Sequence, residues 1–348
     1  MLITQSWVQS LLPGFTGVTP AELDAMYVQV GFETEGYESI PETTGPLVLG
    51  RVVAIEELAE FKKPIRYCQV DVGQANGTGQ SQGIICGARN FKQGDLVVVS
   101  LPGAVLPGGF EISARETYDH ISAGMMASAA ELGLTAKSDG IITLEQGAAT
   151  PGDDAREILG SNDTVFDVNV TPDRGYALSV RGLTREIASA FDLEYKDVAK
   201  DPSLAGIDVS AVPAPNGETI PVSVEPSTKA QRFGLRTVRG IDPAAKAPFW
   251  LQRELMLSGV RSVNAATDVT NYVMLLTGQP MHAFDADKIA GGLRVHNAAD
   301  GEKFETLDHV ERTLTADDVV ISDDNGIQSL AGVMGGTTSE IADDTVNV

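Results

Sequence analysis

The sequence predicts an α+β protein of several domains, with a β-barrel inserted into a small α/β domain and a larger α/β domain after it. Its 348 residues exceed the roughly 250–300 residues at which single hydrophobic cores stop growing. Strand patterns dominate 41–150, and helix patterns flank that segment. Because the first 40 residues are too few to bury a core alone, we expect 1–40 and 151–200 to form one domain around the barrel.

The composition excludes several classes of protein. Hydrophobic residues make up 43% of the chain, which is enough for packed cores. Cys68 and Cys86 have neither disulfide nor metal-site spacing, so we expect a cytoplasmic protein without a metal site. The first residues lack the features of a signal peptide, and no apolar run is long enough to span a membrane, so no membrane association is expected.

The charge bears on nucleic-acid binding. A net charge of −23 argues against non-specific binding of nucleic acid, and no DNA partner is expected. The distribution is uneven, however, because 229–261 carries seven basic against two acidic residues, whereas 300–344 carries twelve acidic against two basic. The segment 229–261 is therefore either a basic face on an acidic protein or a set of cations spread around a solvated surface.

Four strand patterns rich in β-branched residues begin the barrel segment: LVLGRVVAIEEL, RYCQVDVG, QGIICGA and DLVVVSL. About five strands in ~100 residues suggest a small closed barrel, for which the OB-fold is the commonest nucleic-acid-binding example. A barrel that acts only as a structural spacer is the alternative. Few aromatic residues on which bases stack are present, which argues against tight RNA binding by the barrel alone.

The region after the barrel domain begins with a predicted linker, 201–220, which is rich in proline, alanine and glycine. The larger α/β domain then occupies 221–348. Its helix pattern is APFWLQRELMLSGV, and its strand patterns are PVSVEP, RFGLRTVRGI, GLRVHNA, FETLD and DVVISD.

A second helix of this domain is predicted in the run DVTNYVMLLTGQPMHAFD. Apolar residues at helical spacing follow a capping residue at Thr267 or Asp268, and Gly278 stops the helix. Thr270 and Asn271 would therefore lie in the first turn. From the residues alone, these polar side chains either satisfy the helix N-terminus or belong to a site.

Two further features follow this helix. His282 lies just after its end, and LAGVMGGTTSEI predicts a glycine-rich loop in which Gly332, Gly335 and Gly336 let backbone approach a ligand closely. The alternatives are a surface or core histidine and glycines that only make tight turns. The loop has neither the P-loop nor the dinucleotide spacing.

Four motifs occur in collinear order. They are SAGMMAS (122–128) with ELGL (131–134), NVTPDR (169–174) with LSVRGLTRE (178–186), the helix run above, and LAGVMGG (330–336). With these motifs the sequence resembles the β subunit of bacterial phenylalanyl-tRNA synthetase, and its barrel resembles the OB-type tRNA-binding module. The family's β subunit is much longer, so the resemblance implies a fragment with a B1-like first domain that ends inside the composite B3/B4 domain.

The resemblance implies a function in translation. In this family the partner α subunit charges tRNA(Phe) within a heterotetramer that uses ATP and magnesium, and the β subunit's B3/B4 domain hydrolyses mischarged Tyr-tRNA(Phe). Such editing is needed because an apolar pocket rejects an added hydroxyl by only ~10²-fold. No cofactor is expected in this part of the protein. The alternatives are a non-catalytic module that binds tRNA and docks the α subunit, and a free-standing tRNA-binding protein.

Three residues match the family's catalytic editing positions. Thr270 and Asn271, with helix N-terminal amides, would orient the carbonyl and the water, and His282 would donate to the ribose or orient the water. The resemblance assigns substrate binding to a set of loop residues: Ala331, Gly332, Gly335, Gly336, Thr337, Thr338 and Glu340.

The loop departs from the family pattern at one place. Thr337 and Thr338 stand where members often carry a glutamate, which is a stronger acceptor for the tyrosine hydroxyl. Either discrimination is weaker here or Glu340 substitutes. For contact with tRNA, the local charge favours four cations: Lys229, Arg232, Arg236 and Arg239.

Overall fold

A computed structural model describes residues 1–61, 65–201, 208, 210, 212–217 and 219–348. Its contacts divide the chain into two compact units, of which the first comprises Met1–Lys196 and Pro248–Arg261 and the second comprises Asp197–Ala247 and Ser262–Val348. Part of the predicted linker lies outside the described residues. Among the residues described, no helix combines the length and the apolar character needed to cross a membrane.

The regular elements of each unit follow the chain order. Those of unit 1 are β1 (Leu2–Thr4), α1 (Gln5–Ser10), α2 (Pro20–Gln29), β2 (Glu33–Ser39), β3 (Leu47–Leu58), β4 (Ile65–Asp71), β5 (Gln82–Cys86), β6 (Leu96–Ser100), β7 (Val105–Leu106), β8 (Phe110–Glu111), β9 (Arg115–Thr117), β10 (His120–Ser122), β11 (Met125–Met126), β12 (Thr143–Leu144), α3 (Ala155–Leu159), β13 (Thr164–Asn169), α4 (Val180–Ala190) and α5 (Phe249–Leu257). Those of unit 2 are β14 (Val222–Val224), α6 (Ala265–Thr277), β15 (Leu293–Asn297), β16 (Lys303–Glu305), β17 (Glu311–Thr313), β18 (Val319–Ser322), β19 (Ile327–Leu330) and β20 (Met334–Gly335).

A three-stranded sheet joins the first residues of unit 1 to those after the barrel. β13 is its central strand and pairs antiparallel with both β1 and β2. The packing behind it includes Phe166 and Tyr27, whose rings meet edge to face with centroids 5.8 Å apart. Helix α5 is also part of this unit, although the predicted domain limits place it with 221–348. Those limits stay a prediction.

The strands between these segments form the nearly closed barrel that the sequence predicts. Their order is β11–β6–β3–β4–β5, and β12 also pairs with β6. The free side of β5 approaches the residues before β11, because Ala123 N donates to Gly83 O at 2.9 Å and Ile85 N donates to Ser122 Oγ at 3.0 Å. Both cysteines are buried and unbonded, and burial raises the pKa of the Cys68 thiol to about 12.

Unit 2 has a five-stranded sheet in the order β14–β15–β18–β19–β20, in which only the β14–β15 pair is parallel. Among its described residues, unit 2 has two buried hydrophobic clusters, one formed by Phe284, Leu293, Val295 and Ile321 and the other by Ala298, Phe304, Leu314, Val320 and Ile327. The strand predicted over 232–241 is wrong as a regular element. Val238 exchanges backbone bonds of 2.7 and 2.8 Å with Val348, but no described strand pairs with the residues before it to continue a ladder.

Candidate functional site

Helix α6 begins earlier than its sequence pattern predicts. Asn264 is the N-cap, and its side chain accepts from Thr267 N at 2.9 Å. The predicted cap at Thr267 or Asp268 is therefore wrong. The carboxylate of Asp268 is buried and accepts instead from Ser262 Oγ at 2.6 Å and Val263 N at 2.8 Å. Asp268 thus fixes the segment that enters the helix, and its desolvation raises its pKa.

This start moves Thr270 and Asn271 into the second turn of α6. The prediction that both residues lie in the first turn is therefore wrong, because only the first four amides of a helix are free and these two residues come after them. Thr270 Oγ1 donates to Thr267 O at 2.8 Å, and its hydroxyl can therefore only accept from a further partner. Asn271 is half-buried, and its amide has no hydrogen bond within the described residues. The helix ends as predicted, with Gly278 at φ 78°.

His282 lies against the glycine loop. Its ring meets Phe284 edge to face with centroids 4.5 Å apart, and a Cβ built on Gly335 would lie 3.3 Å from its Nδ1 and closer still to Cε1 and Nε2. The residue has an exposed edge, while the protein packed on its other side lowers the pKa of His282 through desolvation. In the described part of the chain, no hydrogen bond reaches either ring nitrogen, and none joins His282 to Thr270 or Asn271.

The loop requires glycine at its different positions for different physical reasons. Gly332 has φ 71° in the turn between β19 and β20. A Cβ on Gly336 would meet the Phe304 ring at 2.5 Å, and Gly336 N donates to Gln328 O at 2.8 Å. Ala331 N donates to Val319 O at 2.9 Å, so Ala331 extends the sheet. Packing and turn geometry therefore place this loop where His282 touches it.

The residues after the glycines differ in their surroundings. Thr338 is exposed and donates from Oγ1 to Gln328 Oε1 at 2.8 Å. Glu340 is also exposed, and its backbone oxygen accepts from Lys288 Nζ at 2.8 Å. Sequence reasoning missed Gln328, which is only 3% exposed. The signal available was an amide side chain within the short strand β19, next to Ile327.

The predicted tRNA-contacting cations lie along an irregular segment of unit 2 that follows β14. All four are exposed, and half-buried Phe233 and Leu235 alternate with them. None forms an ion pair with a carboxylate among the described residues, and Arg236 donates to Pro213 O at 2.8 Å. Their charge is therefore not neutralised locally. In the residues described, no three His, Cys, Asp or Glu side chains are grouped to hold a metal ion.

Two family models match this chain. The putative tRNA binding domain covers residues 47–154, which hold the barrel strands, and the B3/4 domain covers 229–348, which hold α6, His282 and the glycine loop. The chain is therefore of the class that joins a putative tRNA binding domain to a B3/4 domain.

Relatives that align with the whole chain identify one family within this class. The phenylalanine–tRNA ligase β subunits of Corynebacterium diphtheriae and Corynebacterium glutamicum are each 69% identical to the chain over 353 residues, and that of Thermobifida fusca is 50% identical over 349 residues. Each alignment takes in 100% of this chain. The chain belongs to the phenylalanine–tRNA ligase β-subunit family. It spans 42% of the length of the two Corynebacterium relatives.

Proposed function

We propose that this chain binds tRNA(Phe) and hydrolyses mischarged Tyr-tRNA(Phe) as part of the β subunit of a cytoplasmic phenylalanine–tRNA ligase. The observation that carries the proposal is the imidazole of His282, which stands against the glycine loop with no described partner on its ring nitrogens. We assign aminoacylation, which uses ATP and magnesium, to a partner α subunit. No residue of this chain is proposed to bind ATP or magnesium. The B3/4 match supports editing over a purely non-catalytic module.

Hydrolysis of an aminoacyl ester requires an oriented water and a donor for the carbonyl oxygen as it gains charge. Thr270 suits the first task, because its hydroxyl already donates to Thr267 and can only accept a hydrogen from the water. Asn271 suits the second task, because its amide nitrogen is a donor without a described partner. Both side chains project from the second turn of the rigid helix α6.

His282 suits the proton transfers of the reaction. Because its pKa is lowered, the ring is neutral at pH 7, with one nitrogen able to accept and the other able to donate. The accepting nitrogen takes a proton from the attacking water, and a proton returns to the ribose oxygen when the ester bond breaks. Gly335 allows this placement, because any larger residue would displace the ring.

Binding of tRNA requires cations that reach phosphates without a protein carboxylate competing for them. The four cations between 229 and 239 meet this requirement within the described residues. The barrel within the tRNA-binding match offers a second contact surface. This local positive charge supports tRNA binding in a protein whose net charge is −23.

The test is single-turnover hydrolysis of preformed Tyr-tRNA(Phe) by the intact enzyme. We expect His282→Asn to lower the rate by about 10²–10⁴-fold, the range of general acid–base catalysis. The matched control is His309→Asn, which changes an exposed histidine of the same unit whose φ of 58° an asparagine tolerates. If the two variants hydrolyse Tyr-tRNA(Phe) equally fast, the proposed role of His282 is wrong.

A further inference from the structure

We propose that Asp285 is the positioning residue for His282, because its backbone and its buried carboxylate tie the segment that carries the imidazole to the segment that follows the glycine loop. The inference rests on the proposed editing function and adds to it the group that holds the histidine in place. It follows from the hydrogen bonds of two segments of unit 2, 279–288 and 335–345.

The segment between α6 and Asp285 has almost no hydrogen bonds of its own. After Gly278, which ends the helix, Gln279 N donates to Thr277 Oγ1 at 3.2 Å. Residues 280–284 make no hydrogen bond to any other described residue. Their position therefore depends on the packing of their side chains and on the two ends of the segment.

The backbone of Asp285 closes a ring of chain at the histidine. Asp285 N donates to Ser339 O at 3.0 Å. His282 precedes Asp285 by three residues and Gly335 precedes Ser339 by four, and the imidazole packs against Gly335. The ring therefore has the imidazole contact at one end and the Asp285 bond at the other, so loss of the bond frees the imidazole to move.

The carboxylate of Asp285 strengthens this closure. It is only 5% exposed, and its Oδ2 accepts from Thr345 Oγ1 at 2.8 Å and from Lys288 Nζ at 3.3 Å. Lys288 Nζ also donates to Glu340 O at 2.8 Å, and Thr345 Oγ1 accepts from Ala342 N at 2.9 Å. One buried carboxylate therefore ties together the two segments that leave the ring.

These bonds require an ionised carboxylate. Thr345 is 2% exposed and its lone pairs face Ala342 N, so its single hydrogen must go to an acceptor, as must those of the Lys288 ammonium. Burial raises the pKa of Asp285, but the hydrogen bonds from Thr345 and Lys288 outweigh burial and hold this pKa below its ordinary value. Because Oδ1 accepts from Asp287 N at 3.1 Å, an asparagine in either orientation would set its NH₂ group against a donor.

The first test is single-turnover hydrolysis of Tyr-tRNA(Phe) by the intact enzyme in saturating excess. Asp285→Asn should lower the rate constant about 10²-fold, the effect of a misplacement of about 1 Å, and should leave the Kd for tRNA(Phe) unchanged. A smaller folded fraction cannot cause this fall, because the remaining folded enzyme still binds all of the substrate. Asp318→Asn is the matched control and should keep the wild-type rate constant, since Asp318 Oδ2 also accepts from a threonine hydroxyl, that of Thr315 at 3.0 Å.

Thr345 tests the same bond with the carboxylate left in place. Thr345→Val keeps the shape and removes the donor, so the rate constant should fall on the order of tenfold. Thr345→Ser keeps the hydroxyl and should restore most of the rate. A packing role would give the opposite order, with valine close to wild type and serine impaired, and that order would overturn the inference.

The position of the imidazole is also measured without hydrolysis. Because the protein packed against His282 lowers its pKa, an imidazole released from Gly335 should have a pKa closer to 6.5. The pH dependence of carbethoxylation by diethyl pyrocarbonate, followed at His282 by mass spectrometry, gives this pKa in the intact wild-type enzyme and in Asp285→Asn. Exposed His309 of the same enzyme is the internal control for the labelling.

The outcomes separate this inference from the proposed function. If the wild-type enzyme hydrolyses Tyr-tRNA(Phe) and Asp285→Asn keeps its rate constant, the inference is overturned and the proposed function stands. If the wild-type enzyme does not hydrolyse Tyr-tRNA(Phe), the proposed function fails, and a raised pKa of His282 in Asp285→Asn still supports the positioning role. An unchanged pKa of His282 in Asp285→Asn overturns the inference whether or not hydrolysis is slowed.

Discussion

Replacing Gly335 with alanine tests the packing that places His282. The backbone at Gly335 is outside the left-handed region, so alanine introduces no strain of its own there. Its Cβ, however, would lie 3.3 Å from Nδ1 of His282 and closer to Cε1 and Nε2. The imidazole or the loop must therefore move, and an overpacked site of this kind typically costs ~1–3 kcal/mol.

The same displacement should affect catalysis. A misplacement of about 1 Å can lower a rate ~10²-fold, so we expect Gly335→Ala to slow single-turnover hydrolysis of Tyr-tRNA(Phe) by about that factor. Gly175→Ala is the control, because a Cβ there would have no atom within 4 Å. Hydrogen exchange of the β19 amides should report a lower local opening free energy in Gly335→Ala.

A double-mutant cycle assigns the cause. In a His282→Ala background the clash has no partner, so Gly335→Ala should change the opening free energy by less than ~0.5 kcal/mol. An equal destabilisation in both backgrounds, or a wild-type rate of hydrolysis in Gly335→Ala, would refute the reasoning that the glycine exists to admit the imidazole.

Three further predictions concern charge. Because the folded state lowers the pKa of His282 below its ordinary value of 6.5, hydrolysis should persist at pH 6.5 and fall only as the pH drops through the lower folded pKa. The unfolded chain binds the proton first, so the stability contributed by the neutral ring is lost as the pH falls from the unfolded pKa to the folded pKa. A pH–rate profile tests this. Arg253→Met should destabilise unit 1 by about 3–5 kcal/mol in urea unfolding followed by tryptophan fluorescence, because Arg253 pairs with buried Asp163 at 2.8 Å and with Glu254 at 2.6 Å; an unchanged urea midpoint would contradict this. Arg232→Ala should reduce the slope of log affinity for tRNA against log salt by about 0.7–0.9, and an unchanged slope would remove Arg232 from the interface.

The sequence predicts much of this fold because local signals and tertiary packing agree. Thr19 and Glu22 form a capping box at the start of α2, a pattern of residue types that the local sequence carries, and α6 ends at Gly278 as predicted. The barrel strands follow their β-branched patterns, since each buries one set of side chains in the barrel core. The pairing of β1 with β13 joins residues more than 160 positions apart, and only the shortness of the first segment suggested it.

The features of the fold and the site that the sequence does not predict depend on contacts that no local pattern encodes. The sequence pattern misplaces the start of α6. Asp268 is a good capping residue by type, but its carboxylate accepts hydrogen bonds from Ser262 and Val263 instead of capping the helix. Contact between His282 and Gly335 links residues far apart in the chain. Buried Gln328 donates to Asp323 at 3.0 Å and accepts from Thr338 at 2.8 Å, and these bonds depend on the β18–β19 turn, which no residue type reveals.

The most direct test of the central claim is accumulation of mischarged tRNA. The intact enzyme is incubated with tyrosine, ATP and tRNA(Phe), and Tyr-tRNA(Phe) is quantified over time. The account predicts that the wild-type enzyme accumulates almost none, whereas His282→Asn accumulates it at the rate of misactivation. Equal accumulation by the two enzymes would contradict an editing site at His282.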